Sequence, residues 1–160
     1  MIRHAIAVAR GTPGIEDDDR PLTPKGEKRF RQAARGLARI VRKPDQVLTS
    51  PRIRAARTAE IASRTWGGPK PKSDPALASG SVRQMLAMLA GWPKDATIAI
   101  VGHEPDLSAL LGRLLGGAES ARVTFRKGGA AMVELPGAPA SGGRLVWYLR
   151  PRILRALGQK

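Results

Sequence analysis

At 160 residues the chain can hold one domain with a hydrophobic core and is too short for two of ordinary size, so a single domain over 1–160 is expected. No apolar run approaches the roughly 20 residues that span a bilayer, and no long apolar core of a secretion signal opens the chain, so the reading is a cytoplasmic protein without a membrane partner. Zero cysteines exclude disulfides, thiolate metal sites and cysteine nucleophiles, while 28 Lys+Arg against 13 Asp+Glu give a net charge of +15, which attracts phosphate-bearing molecules, acidic proteins, anionic lipid or nucleic acid.

The first apolar segment is short and carries Arg3 and His4. An acidic turn over 16–19 follows, and a charge run of this kind reads as a solvated loop. Thr23 before Pro24 starts a helix, because threonine can accept from the free N–H groups and proline suits the first helical position. Phe30, Ala33 or Ala34, Leu37, Ile40 and Val41 continue it as one apolar stripe, predicting a helix over about 24–41. "PDQVLTS" reads as a short buried strand that stops at Ser50-Pro51, and "IRAARTAEIASRTW" as a second helix. A loop over 67–75 leads to a third helix, "SVRQMLAMLAGW". "ATIAIVGHEPDLSALLGRLLGG" repeats the order: a strand, a turn holding His103, and a helix ended by Gly116-Gly117. Two more strands over 130–135 and 144–149 flank "PGAPASGG", and a basic segment from Arg150 closes the chain. Helices alternating with continuously apolar strands predict an α/β fold whose mainly parallel sheet is covered on both faces.

Ligands of open α/β sheets bind beyond the carboxyl ends of the strands. Arg3-His4, the arginines Arg52, Arg54 and Arg57, and His103-Glu104 all follow strands, so three segments would deliver both histidines of the chain and several arginines to one edge of the sheet. Helix N-termini at that edge favour an anion as well. The arrangement suits phosphate.

"IRHA", "RPLTPKG", "SPRIRAARTAE" and "VGHEPDLS", in this order and at these intervals, resemble the histidine phosphatase superfamily and, within it, the small SixA-type phosphohistidine phosphatases. The resemblance implies a three-layer α/β/α sandwich of the phosphoglycerate mutase-like type. It implies that His4 is the nucleophile that becomes transiently phosphorylated, that Arg3 and Arg54 bind phosphate oxygens, that His103 is the second histidine of the pocket, and that Arg20 lies near the site. Arg52 and Arg57 match no role of that family and read as a solvated helix face. Ala5 stands where many members have glycine, which points toward the SixA-like branch. Only Met1 and Ile2 precede Arg3, where the family has several apolar residues in a central strand. The expectation is therefore a stub strand or a chain that starts further upstream, and a stub would loosen His4 through lost ladder bonds.

The implied activity is a metal-independent phosphatase without cofactor, acting on a phosphate-containing substrate, most plainly phosphohistidine on a partner protein. Two guanidinium groups and a second imidazole can neutralise charge on the equatorial oxygens of phosphorus, the principal demand of phosphoryl transfer. Proton donation is less settled. Enzymes that cleave stable phosphate esters supply a carboxylic acid, and the candidates are Asp74 in "DPALASGS" and Glu104, which equally can cap the next helix. Phosphohistidine needs less help, since imidazole leaves more readily than an alkoxide. The alternatives are a small-molecule phosphoester phosphatase on the same site and a non-enzymatic anion- or nucleic-acid-binding protein. The 4% aromatic content disfavours single-strand recognition by stacking.

Overall fold

The computed structural model describes residues 1–117 and 123–159. Six strands, β1 (Ile2–Arg3), β2 (Gln46–Thr49), β3 (Lys72–Ser73), β4 (Ile98–Gly102), β5 (Ala130–Glu134) and β6 (Arg144–Leu149), form one sheet in the order β3-β2-β4-β1-β5-β6. The first four run parallel, and β5 and β6 add an antiparallel edge. The helices are α1 (Pro24–Ile40), α2 (Ile53–Trp66), α3 (Val82–Ala90), α4 (Asp106–Leu114) and α5 (Pro151–Leu157).

Side chains alternate across a strand, so each apolar strand feeds two cores. Val47, Ala99, Val101 and Ala130 pack with Phe30, Leu37, Ala59 and Leu154 from α1, α2 and α5. Leu48, Ile100 and Ala131 pack with Met85, Leu107, Leu110 and Leu111 from α3 and α4. The result is the α/β/α sandwich with a mainly parallel sheet. Among the described residues no helix is long and apolar enough to cross a membrane.

Local chemistry sets the element ends. Thr23 Oγ1 accepts from the Gly26 N–H at 2.9 Å and Pro24 occupies the first turn of α1, as the sequence indicates. Gly67, with φ 59°, ends α2. Two elements depart from the expectation. Lys72 and Ser73, inside the expected loop, pair with Leu48 and Thr49 as an edge strand. The basic tail is the helix α5, docked on α1 through the fully buried Leu154.

That docking needs two glycines. A Cβ on Gly36 of α1 would lie 1.9 Å from the Leu154 carbonyl oxygen, and one on Gly158 would lie 2.0 Å from that of Gln32. The helix backbones touch there.

β1 is the stub. Ile2 pairs with Val101 on one side and Ala130 on the other, while β4 and β5 each run on past it. Their remaining lengths flank a cleft of about 970 Å3, lined by Met1, Met132 and all three tryptophans, Trp66, Trp92 and Trp147. It opens at the end of the strands opposite His4, and neither histidine lines it.

In an ordinary helix interior, Gly→Ala stabilises by about 0.5–1 kcal/mol. At Gly36 the clash with α5 reverses the sign, and Gly36→Ala should cost about 1–3 kcal/mol as the helices are forced apart. Urea unfolding measures this, and an unchanged or raised midpoint would contradict the contact.

Candidate active site

His4 leaves β1 at its carboxyl end and is 5% exposed. Its N–H donates to the Gly102 carbonyl at 3.0 Å, and its carbonyl accepts from the Gly128 N–H at 3.1 Å. The next residue is held too, with the Ala5 N–H donating to Thr58 Oγ1 of α2 at 3.0 Å. The stub strand therefore does not leave His4 loose. His4 Nδ1 lies 2.7 Å from the Ala5 carbonyl oxygen. A carbonyl can only accept, so this contact places the proton on Nδ1 and the lone pair on Nε2.

His103 follows β4 and is 3% exposed. Its ring centroid lies 5.1 Å from that of His4. Its Nε2 is 2.8 Å from Ser50 Oγ, beyond β2, and that hydroxyl also accepts from the Arg52 N–H. Burial lowers the pKa of each imidazole to about 3. The Ala5 carbonyl works against this at His4, and the charges of Arg54, Arg3 and Lys127 reinforce it. At His103 the neighbouring His4, Arg54 and Arg52 reinforce it. Both rings are neutral at neutral pH.

Three of the expected arginines gather here. Arg3 Nη1 donates to the Phe125 carbonyl, and burial lowers its pKa without removing a charge that arginine keeps in proteins. Arg54, in the first turn of α2, is 2% exposed, one of the largest fully buried side chains of the protein. Arg20 donates to the Val8 carbonyl through Nη1 and to Asp17 Oδ1 through Nε at 3.0 Å. Arg3 Nε, Arg54 Nε and His103 Nδ1 are buried without a hydrogen-bond partner among the described residues.

The acidic turn is solvent-exposed at Glu16, Asp18 and Asp19, as expected, but Asp17 is drawn into the site. Asp17 accepts from Arg10 Nε at 2.8 Å, from Arg20, and from Arg54 Nη2 at 3.3 Å, while its backbone carbonyl accepts from Arg54 Nη1. The hydrogen bond from Arg10, with Arg20 and Arg54 beside it, holds its carboxyl well below the usual carboxylate range. Asp18 pairs with Arg52 at 2.7 Å, and its carbonyl accepts from the Ile53 N–H. The turn is thus fastened to the start of α2. Arg52 and Arg57 are not idle on a solvated face either. Arg57 pairs with Glu27 of α1 at 2.7 Å and with Glu60 at 3.0 Å, joining α1 to α2.

Glu104 lies beside Arg3, whose charge acts on it. Burial raises its pKa, yet both oxygens are acceptors: Oε2 takes the Ser108 hydroxyl at 2.5 Å and Oε1 the Phe125 N–H at 3.2 Å. Asp74 accepts from the Ala76 N–H and caps a short 3-10 turn. Asp17, Ser50 and Lys127 were not singled out by the sequence. Ser50 was read as the strand's end, and nothing in the local sequence distinguishes Lys127 from the chain's other lysines.

Residues 1–81 match the sequence profile of the histidine phosphatase superfamily, branch 1. An uncharacterized protein of Picosynechococcus sp. (strain PCC 7002) is 38% identical over 132 residues, covering 81% of this chain and 79% of that protein. The fold is similar to that of the protein histidine phosphatase SixA complexed with tungstate, with a TM-score of 0.82, 27% identity and 96% of each chain covered. It also resembles a SixA-type structure from Agrobacterium tumefaciens, with a TM-score of 0.78, 25% identity and coverage of 94% and 95%. The chain belongs to the histidine phosphatase superfamily, branch 1, and is a phosphatase.

Proposed function

We propose that this phosphatase is metal-independent, works through a covalent phosphohistidine on His4, and takes phosphohistidine on a partner protein as its substrate. The observation that carries the reading is a set of buried nitrogens without a hydrogen-bond partner among the described residues, Arg3 Nε, Arg54 Nε and His103 Nδ1, beside a neutral imidazole whose Nδ1 is already tied to a carbonyl. Such donors, fixed before an anion arrives, stabilise developing charge without reorganising.

In the first step the Nε2 lone pair of His4 attacks phosphorus in line. The bond from phosphorus to the substrate imidazole breaks, and its electron pair stays on the leaving nitrogen, which takes a proton from solvent. Arg3, Arg54 and Arg20 neutralise the equatorial oxygens, and His103 donates through Nδ1 when Ser50 O–H donates to its Nε2. Water then attacks phosphorus, the bond to Nε2 breaks, and inorganic phosphate leaves. The guanidinium groups do what a divalent ion does in other phosphoryl transfers. Among the described residues no three His, Asp or Glu side chains come together as metal ligands.

Glu104 supports this substrate class. With both oxygens accepting, its ionised form is the satisfied one, so it anchors the segment around Phe125 and holds no proton ready for an alkoxide. A phosphorylated imidazole needs no such acid. The tungstate bound by the similar SixA structure is a tetrahedral anion of the kind these donors suit.

His4→Ala should lower turnover of a phosphohistidine peptide and of an aryl phosphate by roughly a thousandfold or more, with an unchanged melting temperature. Wild-type protein stopped in mid-reaction should carry an acid-labile, alkali-stable phosphoryl group that the variant lacks. Turnover surviving in the variant would overturn the nucleophile. A phosphoester preferred over phosphohistidine, with the preference abolished by Glu104→Gln, would overturn the substrate class.

The lowered pKa values also bear on stability. Between about 6.5, the ordinary imidazole value, and about 3, the unfolded chain binds protons at His4 and His103 that the folded chain does not. Their contribution is complete above about pH 6.5 and is lost as pH falls toward 3. Urea midpoints should therefore drop already between pH 6.5 and 5, before most carboxylates titrate. Replacing both histidines by glutamine should flatten that drop, and an equal drop in the double variant would rule out the imidazoles as its source.

A further inference from the structure

The geometry points to Lys127 as a further phosphoryl-binding residue, whose ammonium engages the transferred group and completes the cation set of Arg3, Arg20 and Arg54. This rests on the phosphoryl site proposed above.

Lys127 occupies the second position of a β-turn over 126–129, closed by the Gly129 N–H to the Arg126 carbonyl at 2.7 Å. The third position is Gly128 with φ 78°, the sign a type II turn demands and only glycine adopts freely. The turn is pinned to the nucleophile's own strand. The Gly128 N–H donates to the carbonyls of both Arg3 and His4, at 3.1 Å each, and the Arg3 N–H donates to the Gly129 carbonyl at 3.0 Å. Just before the turn, the Phe125 carbonyl takes Arg3 Nη1, its N–H is held by Glu104, and its fully buried ring meets Tyr148 edge-on at 5.3 Å. The Lys127 backbone therefore keeps a fixed position relative to His4.

Its ammonium lies within range of the site's charges. Three like charges act on the ammonium, those of Arg3, Arg20 and Arg54, and the ammonium in turn acts on His4. These groups come from β1, the segment after the acidic turn and α2, and the turn that carries Lys127 is itself pinned to β1 beside His4. It makes no hydrogen bond or ion pair among the described residues, whereas Arg20 and Arg54 share Asp17. Four cations converging, with Arg3 and Lys127 in no ion pair among the described residues, are repulsive until an anion enters, and partial burial of the ammonium adds to that cost. A phosphoryl group carrying two negative charges relieves both. The flexible stem and compact charge of lysine let it follow phosphorus during transfer, where the forked arginines are fixed.

The test uses the full chain, with tungstate as the probe and calorimetry as the readout. Lys127→Met should weaken tungstate binding roughly tenfold or more, as loss of one charge-assisted hydrogen bond predicts. It should raise KM for an aryl phosphate by a similar factor with a smaller change in kcat, and Lys127→Arg should restore both to within about threefold. Lys43→Met, an exposed lysine before β2, controls for the general field and should stay within about twofold of wild type. Lys127 is exposed, so its variants should fold, and Lys127→Gln repeats the test should the methionine variant not. Tungstate affinity within twofold of wild type in Lys127→Met, or an arginine variant no better than the methionine one, overturns the assignment. His4→Ala separates the two ideas. A dead His4→Ala beside a normally binding Lys127→Met removes only Lys127, and an active His4→Ala beside a weakly binding Lys127→Met removes only the nucleophile.

Discussion

The Gly102 carbonyl and the Gly128 amide grip the backbone of His4 from opposite sides. A ladder bond of a parallel sheet thereby becomes the mounting of a reactive imidazole. β4 supplies one half of the grip and continues directly into His103, which is why the two rings face each other 5.1 Å apart. The turn at Gly128 supplies the other half. Only two residues of β1 pair in the sheet, yet His4 is held by its neighbours on each flank, and the next residue, Ala5, is held by Thr58. Placement of His4 depends on lateral contacts more than on strand length.

Around this mount the electrostatics are nearly all of one sign, and the few carboxylates present have structural work. Asp17 serves Arg10, Arg20 and Arg54 together, so its one charge orients two arginines of the site while leaving Arg54 Nε uncommitted. Isolated surface pairs contribute little to stability. A carboxylate shared by several guanidinium groups, one of them buried, acts mainly on geometry, since it sets which N–H groups face inward. Glu104 does the same on the other side by fixing Phe125, whose carbonyl turns Arg3. Positive potential is thus concentrated around the two histidines, and the carboxylates hold it from the back.

Much of this was legible in the sequence, for identifiable reasons. α1 announced itself through Thr23-Pro24 and its apolar stripe, and α2 through an unbroken run between Pro51 and Gly67. His4 and His103 stood out because the chain has no other histidines and both follow strands. What escaped lacked a local signal. α5 is seven residues long and anchored by a single fully buried side chain, Leu154, so periodicity could not reveal it. Asp17 read as solvated with the rest of the acidic turn because a charge run shows its partners only in space, and Arg20 and Arg54 are three and 37 residues from it. Lys127 sits in an irregular segment, one cation among 28 Lys+Arg, and only the fold distinguishes it.

The placement of the aromatic residues has an optical consequence. Trp66, Trp92 and Trp147 all line the cleft at the far end of the sheet, separated from the histidines by the length of β4, about 13 Å at ordinary strand rise. Indole emission from this protein therefore reports on the hydration of that cleft and is blind to events confined to the phosphate site. A spectral change on adding an anion would be a signature of movement carried along the strands, read at one end of the sheet while the chemistry takes place at the other.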